Sequence, residues 1–159
     1  MFHTRIICLI AVLAAIGPAS VADAKTRQYS ADITSSALST ADGYPGIGGS
    51  AFITGTMESD ALGSGAILDH VTVTGQPYGL PVFTFEGTEV DATPRGMLVS
   101  ELTGYTVARD DGGLDVVITG HFTGGTERYR NATGRYRFTG TIPEGSTEAT
   151  GHSRGRVVF

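Results

Sequence analysis

The sequence predicts an all-β protein with about six or seven antiparallel strands. Three observations support this class. Apolar and polar residues alternate along several segments, glycine recurs at short intervals with 23 in the chain, and no run of about ten residues beyond the N-terminal apolar segment has helical period. Strands at roughly regular spacing are typical of an antiparallel β-barrel, with a β-sandwich as the alternative.

Residues 1–24 have the pattern of a secretory signal peptide. Arg5 supplies a positive charge, an apolar run extends to Ile16, and the small residues Ala22 and Ala24 form a cleavage site after residue 24. The apolar run of about eleven residues is shorter than the roughly twenty that a membrane-spanning helix needs. We therefore predict an exported protein, periplasmic or extracellular, with no membrane span.

Composition excludes several kinds of chemistry. The single cysteine, Cys8, lies in the leader, so no disulfide, thiolate metal site or cysteine nucleophile is predicted. The net charge of −5 argues against nucleic acid as a partner. The glycine-rich stretches lack the lysine of a phosphate-binding loop, and no Gly-x-Ser-x-Gly elbow occurs. We predict no cofactor.

Residues 25–49 are rich in small and turn-forming residues. They predict a loosely ordered N-terminal segment with at most one short edge strand around residues 28–33. The β-barrel domain is predicted to cover residues 50–159.

Within that domain, alternating segments predict strands at 50–57, 65–75, 81–86, 97–107, 114–123, 135–142 and 147–159. Residues 87–96 include Pro94 and Gly96 and predict a turn region. The step from Asp111 to Gly112 predicts a tight hairpin, because it supplies the positive φ that such turns need.

A glycine-rich stretch joins two of the later strands. Gly124-Gly125-Thr126-x-x-Tyr129-x-x-Ala132-x-Gly134 resembles a hairpin motif of the allene oxide cyclase and dirigent superfamily. It is also similar to a Gly-Gly-Thr-Gly-Arg-Phe-x-x-Ala-Thr-Gly element of secreted bacterial proteins. The resemblance implies an eight-stranded antiparallel barrel, often oligomeric, with an apolar central pocket. Glu127 departs from the motif, which has glycine there, and a positive φ would strain a glutamate.

Two carboxyls fall on strand faces that are otherwise largely apolar. Asp69 shares its face with Ile67, Val71 and Val73. Glu101 shares a face with five residues: Met97, Val99, Thr103, Tyr105 and Val107. An inward carboxyl would have a raised pKa and could exchange a proton near neutral pH. The alternatives are that these faces point outward, or that an arginine neutralises each acid.

Tyr136 shares a face with Phe138 and Ile142 and is predicted to belong to the core. Four residues form the candidate ligand-binding set: Glu101, Tyr105, Asp69 and Tyr136. His121 is predicted to point outward. The histidines beyond the leader lie in different strands without ligand spacing, so no metal site is predicted.

Arginine is concentrated late in the chain, with seven between residues 109 and 159. An exterior laced with salt bridges is the favoured interpretation, because cross-strand charge pairs stabilise sheets without any function. The alternatives are an anionic ligand and the acidic groups of a neighbouring subunit.

The sequence thus favours an exported barrel that binds a small apolar molecule in its interior. One alternative is a cyclase or isomerase that moves a proton with Glu101 or Asp69. The other is a structural or interaction protein whose core is filled. Both a monomer and a homo-oligomer are compatible with the sequence.

Overall fold

The protein forms a closed barrel of eight antiparallel strands, in which each strand pairs with the next along the chain and the last pairs with the first. The computed structural model describes residues 24–38, 46–77 and 82–159. The strands are β1 (Thr26–Leu38), β2 (Ser50–Ser59), β3 (Gly63–Gly75), β4 (Val82–Thr93), β5 (Gly96–Ala108), β6 (Leu114–Gly125), β7 (Thr133–Ile142) and β8 (Glu148–Val158). The predicted antiparallel barrel is confirmed, and the sandwich is excluded.

The prediction for residues 25–49 is wrong, because the structure places a strand of 13 residues there. β1 pairs with β2 on one side and with β8 on the other, so it is a central strand and the barrel starts at Thr26. Its small and polar residues obscured a period of two, in which Tyr29, Ala31 and Ile33 are buried. The predicted signal peptide lies outside the described residues, except for Ala24.

The predicted turn over residues 87–96 is also too long. β4 continues through Thr93, and the turn contains only Pro94 and Arg95. The odd-numbered positions Glu89 and Asp91 point into the barrel and are buried. Pro94 and Gly96, which suggested the longer turn, lie at and just after the two-residue turn that the chain forms.

The barrel has two different ends. In an antiparallel barrel all even-numbered strands begin at the same end, which we call the upper end, and finish at the lower end. The lower end is closed by the motif between β6 and β7, where a short 3₁₀ helix spans Glu127–Tyr129. Tyr129 and Ala132 are fully buried there, and the Tyr129 ring packs edge-on against Phe159 with centroids 5.0 Å apart.

Glu127 occupies the position where the motif has glycine. It is the one non-glycine residue of the described chain with positive φ, at 49°. The backbone therefore keeps the left-handed conformation for which glycine is favoured, and the glutamate adopts it at some cost in strain.

The hairpin between β5 and β6 is confirmed. Gly112 has a φ of 81°, and Arg109 donates hydrogen bonds to Asp111 (2.8 and 3.1 Å) and to Asp115 (3.3 Å). This arginine joins the turn to the first residues of β6.

Aromatic rings fill the interior by lying over glycines of neighbouring strands. The Tyr136 ring occupies the space where Gly120 would carry a Cβ atom, and Phe85 covers Gly104 in the same way. The two residues of each pair lie directly opposite each other in register on adjacent strands. The glycine on one strand therefore makes room for the ring on the next.

Replacement of Gly120 by alanine is expected to destabilise the barrel by about 1–3 kcal/mol, because the added methyl group would displace the Tyr136 ring. That ring is held by Phe122 and Tyr29 and has little room to move. Urea unfolding of the two proteins measures the difference. Gly46→Ala is the control, since nothing lies within 4 Å of the added atom, and an equal loss in both variants would contradict the explanation.

Candidate functional site

Three carboxyls lie together inside the barrel on two neighbouring strands. Asp69 of β3 is directly opposite Glu89 of β4, and Asp91 follows two residues later on the same face. Their exposed fractions are 5%, 5% and 1%. We call Asp69, Glu89 and Asp91 the acid cluster. Its position follows from the period of two, which turns every second residue of each strand inward.

Four hydroxyl groups from other strands belong to the same region: Tyr29, Ser100, Tyr136 and Ser153, all of them buried. Ser100 of β5 lies opposite Glu89 in register, and its Oγ is 3.1 Å from the Tyr136 hydroxyl. The Tyr29 ring packs edge-on against Tyr136 and Phe122, with centroids 5.9 and 5.4 Å away. These contacts fix both phenol rings beside the carboxyls.

Burial gives the acid cluster unusual protonation properties. Desolvation and the neighbouring Glu89 raise the pKa of Asp69 from its ordinary value of 3.8 to about 8. Desolvation raises the pKa of Glu89 from 4.5 to about 7, although hydrogen bonds with Tyr136 and Ser100 oppose the rise. The pKa of Asp91 lies well above its ordinary value because of desolvation, then Glu89, then Asp69. The cluster therefore holds protons near neutral pH.

The acid cluster has no cationic partner among the described residues, whose ion pairs all involve other acids. Two oxygens of the acid cluster, Asp69 Oδ1 and Asp91 Oδ1, also lack a hydrogen-bond partner. The Tyr29 and Ser153 hydroxyls interact with each other, and this interaction opposes the rise that burial causes in the pKa of Tyr29. Unsatisfied buried oxygens are uncommon in native proteins, and they point to a partner that completes the site.

Apolar side chains line the upper end of the interior. Five of them pack against the core yet are only partly buried: Ala51, Ile53, Phe85, Leu114 and Ala149. All come from the first residues of even-numbered strands, so they lie at the same end. We call this set the apolar mouth. The acid cluster lies deeper, towards the end closed by Tyr129.

Two of the four predicted site residues are inside the barrel. Asp69 is buried on the predicted face with Ile67, Val71 and Val73, and Tyr136 is 3% exposed and belongs to the core. The structure thus brings Asp69 and Tyr136 into one region, where the charge of Glu89 raises the pKa of both side chains in addition to the rise from burial.

The predicted inward position of Glu101 and Tyr105 is wrong. Their face of β5 points outward: the Glu101 side chain is 65% exposed, with Oε2 at 3.3 Å from His121 Nε2, and Tyr105 is 38% exposed. The inward face is instead Leu98, Ser100, Leu102, Gly104 and Thr106. Two positions on this face are small: Ser100 contacts the Tyr136 hydroxyl, and Gly104 leaves room for the Phe85 ring. His121 is exposed, as predicted.

Sequence reasoning missed Glu89, Asp91, Ser100, Tyr29 and Ser153. For the two acids a usable signal exists, since continuing the period of two from Phe85 through Gly87 places both on the inner face of β4. For the hydroxyls no comparable signal exists, because serine is equally common on outward strand positions and β1 was not recognised as part of the barrel.

Grooves on the outer face of the sheet provide the prominent cavities lined by described residues. One of about 780 Å³ runs over β4–β7 past Glu101, His121 and Arg135. Another of about 740 Å³ lies over β7, β8 and β1. No group of three or more histidine, aspartate or glutamate residues in the described ranges has the arrangement of a metal site.

No protein-family model matches this chain, and comparisons with curated proteins and with solved structures find no match. In the part of the chain that the structure describes, no helix is long and apolar enough to cross a membrane. The arrangement of residues is therefore the basis for any functional conclusion.

Stability should fall as pH rises through neutrality. The folded-state pKa values of Asp69 and Glu89, about 8 and about 7, lie above the ordinary values of 3.8 and 4.5 expected for the unfolded chain. Between these limits the folded state binds more protons than the unfolded state, so the stabilisation is complete at low pH and is lost as pH rises to about 8. Urea unfolding across this range measures the slope.

In Asp69→Asn the free energy of unfolding should fall less over the same pH range than in the wild type. We expect the two falls to differ by more than about 1 kcal/mol, since one pKa unit corresponds to about 1.4 kcal/mol. Glu101→Gln removes an exposed carboxyl on the outer face and should leave the slope unchanged. A wild-type stability that rises steadily from acid to neutral pH would show that the acid cluster is not buried in its protonated form.

Proposed function

We propose that this protein binds a small molecule inside the barrel, with the apolar body of the ligand at the apolar mouth and a donor group, an amine or a hydroxyl, at the acid cluster. The observation that carries the proposal is the pair of buried carboxyl oxygens without hydrogen-bond partners, Asp69 Oδ1 and Asp91 Oδ1. The apolar ligand predicted from sequence thus acquires a polar end.

The energetics favour a functional origin for the acid cluster. A buried carboxyl without a counter-charge costs several kcal/mol unless it is protonated, and a buried unsatisfied oxygen costs about 1–3 kcal/mol. A barrel whose only role was structural would be more stable with apolar residues at these positions. Selection for a filled core therefore does not account for Asp69, Glu89 and Asp91.

The chemistry of the site defines the ligand class. A bound ammonium group would lower the pKa of the carboxyl beside it, so that this carboxyl ionises and accepts hydrogen bonds from the amine, whereas an anionic group would be repelled. Partly buried apolar residues such as Ile53 and Phe85 favour a hydrocarbon body, which gains free energy when it leaves water. An amphipathic amine satisfies both regions, and a neutral alcohol satisfies them less strongly.

A second candidate is a proton-transfer enzyme, as in the cyclase or isomerase alternative. The favouring observation is the register pair Asp69 and Glu89, whose pKa values of about 8 and about 7 suit a general acid and a general base at neutral pH. The reaction would act on a molecule bound as above. The resemblance to the allene oxide cyclase and dirigent superfamily stays a prediction, because one fold hosts many functions.

Three compounds with the same ring test the binding proposal: cyclohexylmethylamine, cyclohexylmethanol and cyclohexanecarboxylic acid. We expect the amine to raise the melting temperature most and the acid least, because binding to the folded state stabilises it in proportion to affinity. In Asp69→Asn/Asp91→Asn the preference for the amine should disappear. Glu101→Gln, which changes an exposed carboxyl, should preserve it.

Absence of any shift with all three compounds, or equal shifts in the double variant and the wild type, would contradict the proposal. Native mass spectrometry of protein purified from its own host gives a second measurement, since it reports both a retained small molecule and the number of subunits. An empty protein in every charge state would favour the structural interpretation.

A further inference from the structure

Four arginines form a compact patch on the outer face of β7 and β8. Arg135 is directly opposite Arg156 in register, and Arg137 is directly opposite Arg154. All four side chains are exposed. We call these residues the arginine patch.

The arrangement brings like charges together, and none of the four arginines has an acid as a direct register partner. Like charges directly opposite each other destabilise an antiparallel pair, and here two such pairs are adjacent. None of the four arginines forms an ion pair with another described residue. The exterior laced with salt bridges that the sequence favoured is therefore not what the described residues form on this face.

The residues directly beside the patch on the flanking strands add no negative charge. The register neighbours on the flanking strands are Thr119 and His121 of β6 and Gln28 and Ser30 of β1, none of which is acidic. Two acids nearby have histidine partners instead. Glu101 Oε2 lies 3.3 Å from His121 Nε2, and Asp32 accepts a hydrogen bond from His152 at 2.7 Å.

A groove runs alongside the patch. It has a volume of about 740 Å³ and is lined by Thr26, Gln28, Arg135, Arg154 and Arg156, with backbone from Gly134 and Gly155 in its floor. Hydroxyl, amide and guanidinium groups are all hydrogen-bond donors. The groove thus offers donors and positive charge to whatever occupies it.

From these observations we propose that the arginine patch is a binding site for a ligand that carries two or more phosphate or sulfate groups. Each opposed arginine pair presents two planar guanidinium forks, which match the oxygens of a tetrahedral oxyanion. The two pairs are two residues apart along the strands, a separation of about 7 Å. One oxyanion at each pair would neutralise the repulsion that the chain itself leaves uncompensated.

This site is independent of the barrel interior. Residues 135, 137, 154 and 156 face outward, whereas Tyr136, Ser153 and Val157 on the same strands face inward and are buried. Binding at one face does not require binding at the other. The oxyanion proposal can therefore be wrong while the proposed function is right, and the proposed function can be wrong while the oxyanion proposal is right.

Sodium tripolyphosphate is the probe, compared with sodium chloride at the same ionic strength. We expect it to raise the melting temperature of the wild-type protein by at least about 2 °C, as a ligand of the folded state does. In Arg137→Gln/Arg154→Gln the affinity, measured by isothermal titration calorimetry, should fall at least about tenfold, because charge-assisted hydrogen bonds are lost. Arg95→Gln, an exposed arginine in the turn between β4 and β5, should bind as the wild type does.

The same variants give a readout without ligand. At low salt Arg137→Gln/Arg154→Gln should melt at a higher temperature than the wild type, because it relieves the opposed charges, so loss of binding cannot be attributed to unfolding. Equal tripolyphosphate affinity in the wild type and the double variant would overturn the proposal, as would absence of any affinity in the wild type.

A second experiment, vesicle flotation, tests whether the oxyanion belongs to a lipid headgroup or to a soluble ligand. Phosphatidylcholine vesicles with and without phosphatidylglycerol are floated with the protein. If the wild-type protein floats with phosphatidylglycerol vesicles, the double variant does not, and tripolyphosphate prevents the flotation, the site binds lipid headgroups. If the protein binds tripolyphosphate but does not float, the site binds a soluble ligand. Either result supports the oxyanion site. Flotation that persists unchanged in the double variant overturns it.

Discussion

Closure of the sheet between β1 and β8 is the constraint on which the rest of the structure depends. Eleven register pairs, from Thr26 with Val158 to Ser36 with Glu148, join the first strand to the last. Without them both strands would be open edges, with unpaired backbone groups exposed to other chains. The interior would also lose Tyr29, which contacts Phe122 and Tyr136 and carries one of the hydroxyls beside the acid cluster.

Closure also decides what the interior can contain. A small barrel has room for one layer of side chains from each strand, so large residues on one strand require small ones on the next. Gly104 and Gly120 leave the space that Phe85 and Tyr136 fill. The same closed interior removes the three carboxyls from water, which is the main reason why the pKa values of Asp69 and Glu89 rise.

The sequence was sufficient for the fold class and the hairpin at Gly112, because each depends on a strong local pattern, whereas it left open which face of β3 points inward. It was insufficient for β5, where one face holds valine, methionine and tyrosine and the other holds leucine, serine and glycine. Which face is inside depends on rings supplied by β4 and β7, and no local pattern contains that information. The acid cluster could be predicted only in part. Asp69 has apolar neighbours on its strand face and was a candidate, whereas Glu89 and Asp91 lie in a segment whose composition is typical of a turn.

The period of two also places the acid cluster and the arginine patch on opposite faces of the sheet. A residue on the outer face of a closed sheet cannot reach the interior, so Arg135 and Arg137 cannot neutralise Asp69 or Glu89. An ion pair between an arginine and a carboxyl would otherwise relieve both the buried acids and the opposed arginines. A chain selected for stability alone could exchange these positions or replace them with apolar and neutral residues. Buried acids on one face and opposed arginines on the other both reduce stability, and neither is needed to form the eight strands. We therefore infer that the two faces meet two different ligands, a donor-bearing molecule inside and an oxyanion outside, and that the closed sheet keeps the two sites electrostatically distinct.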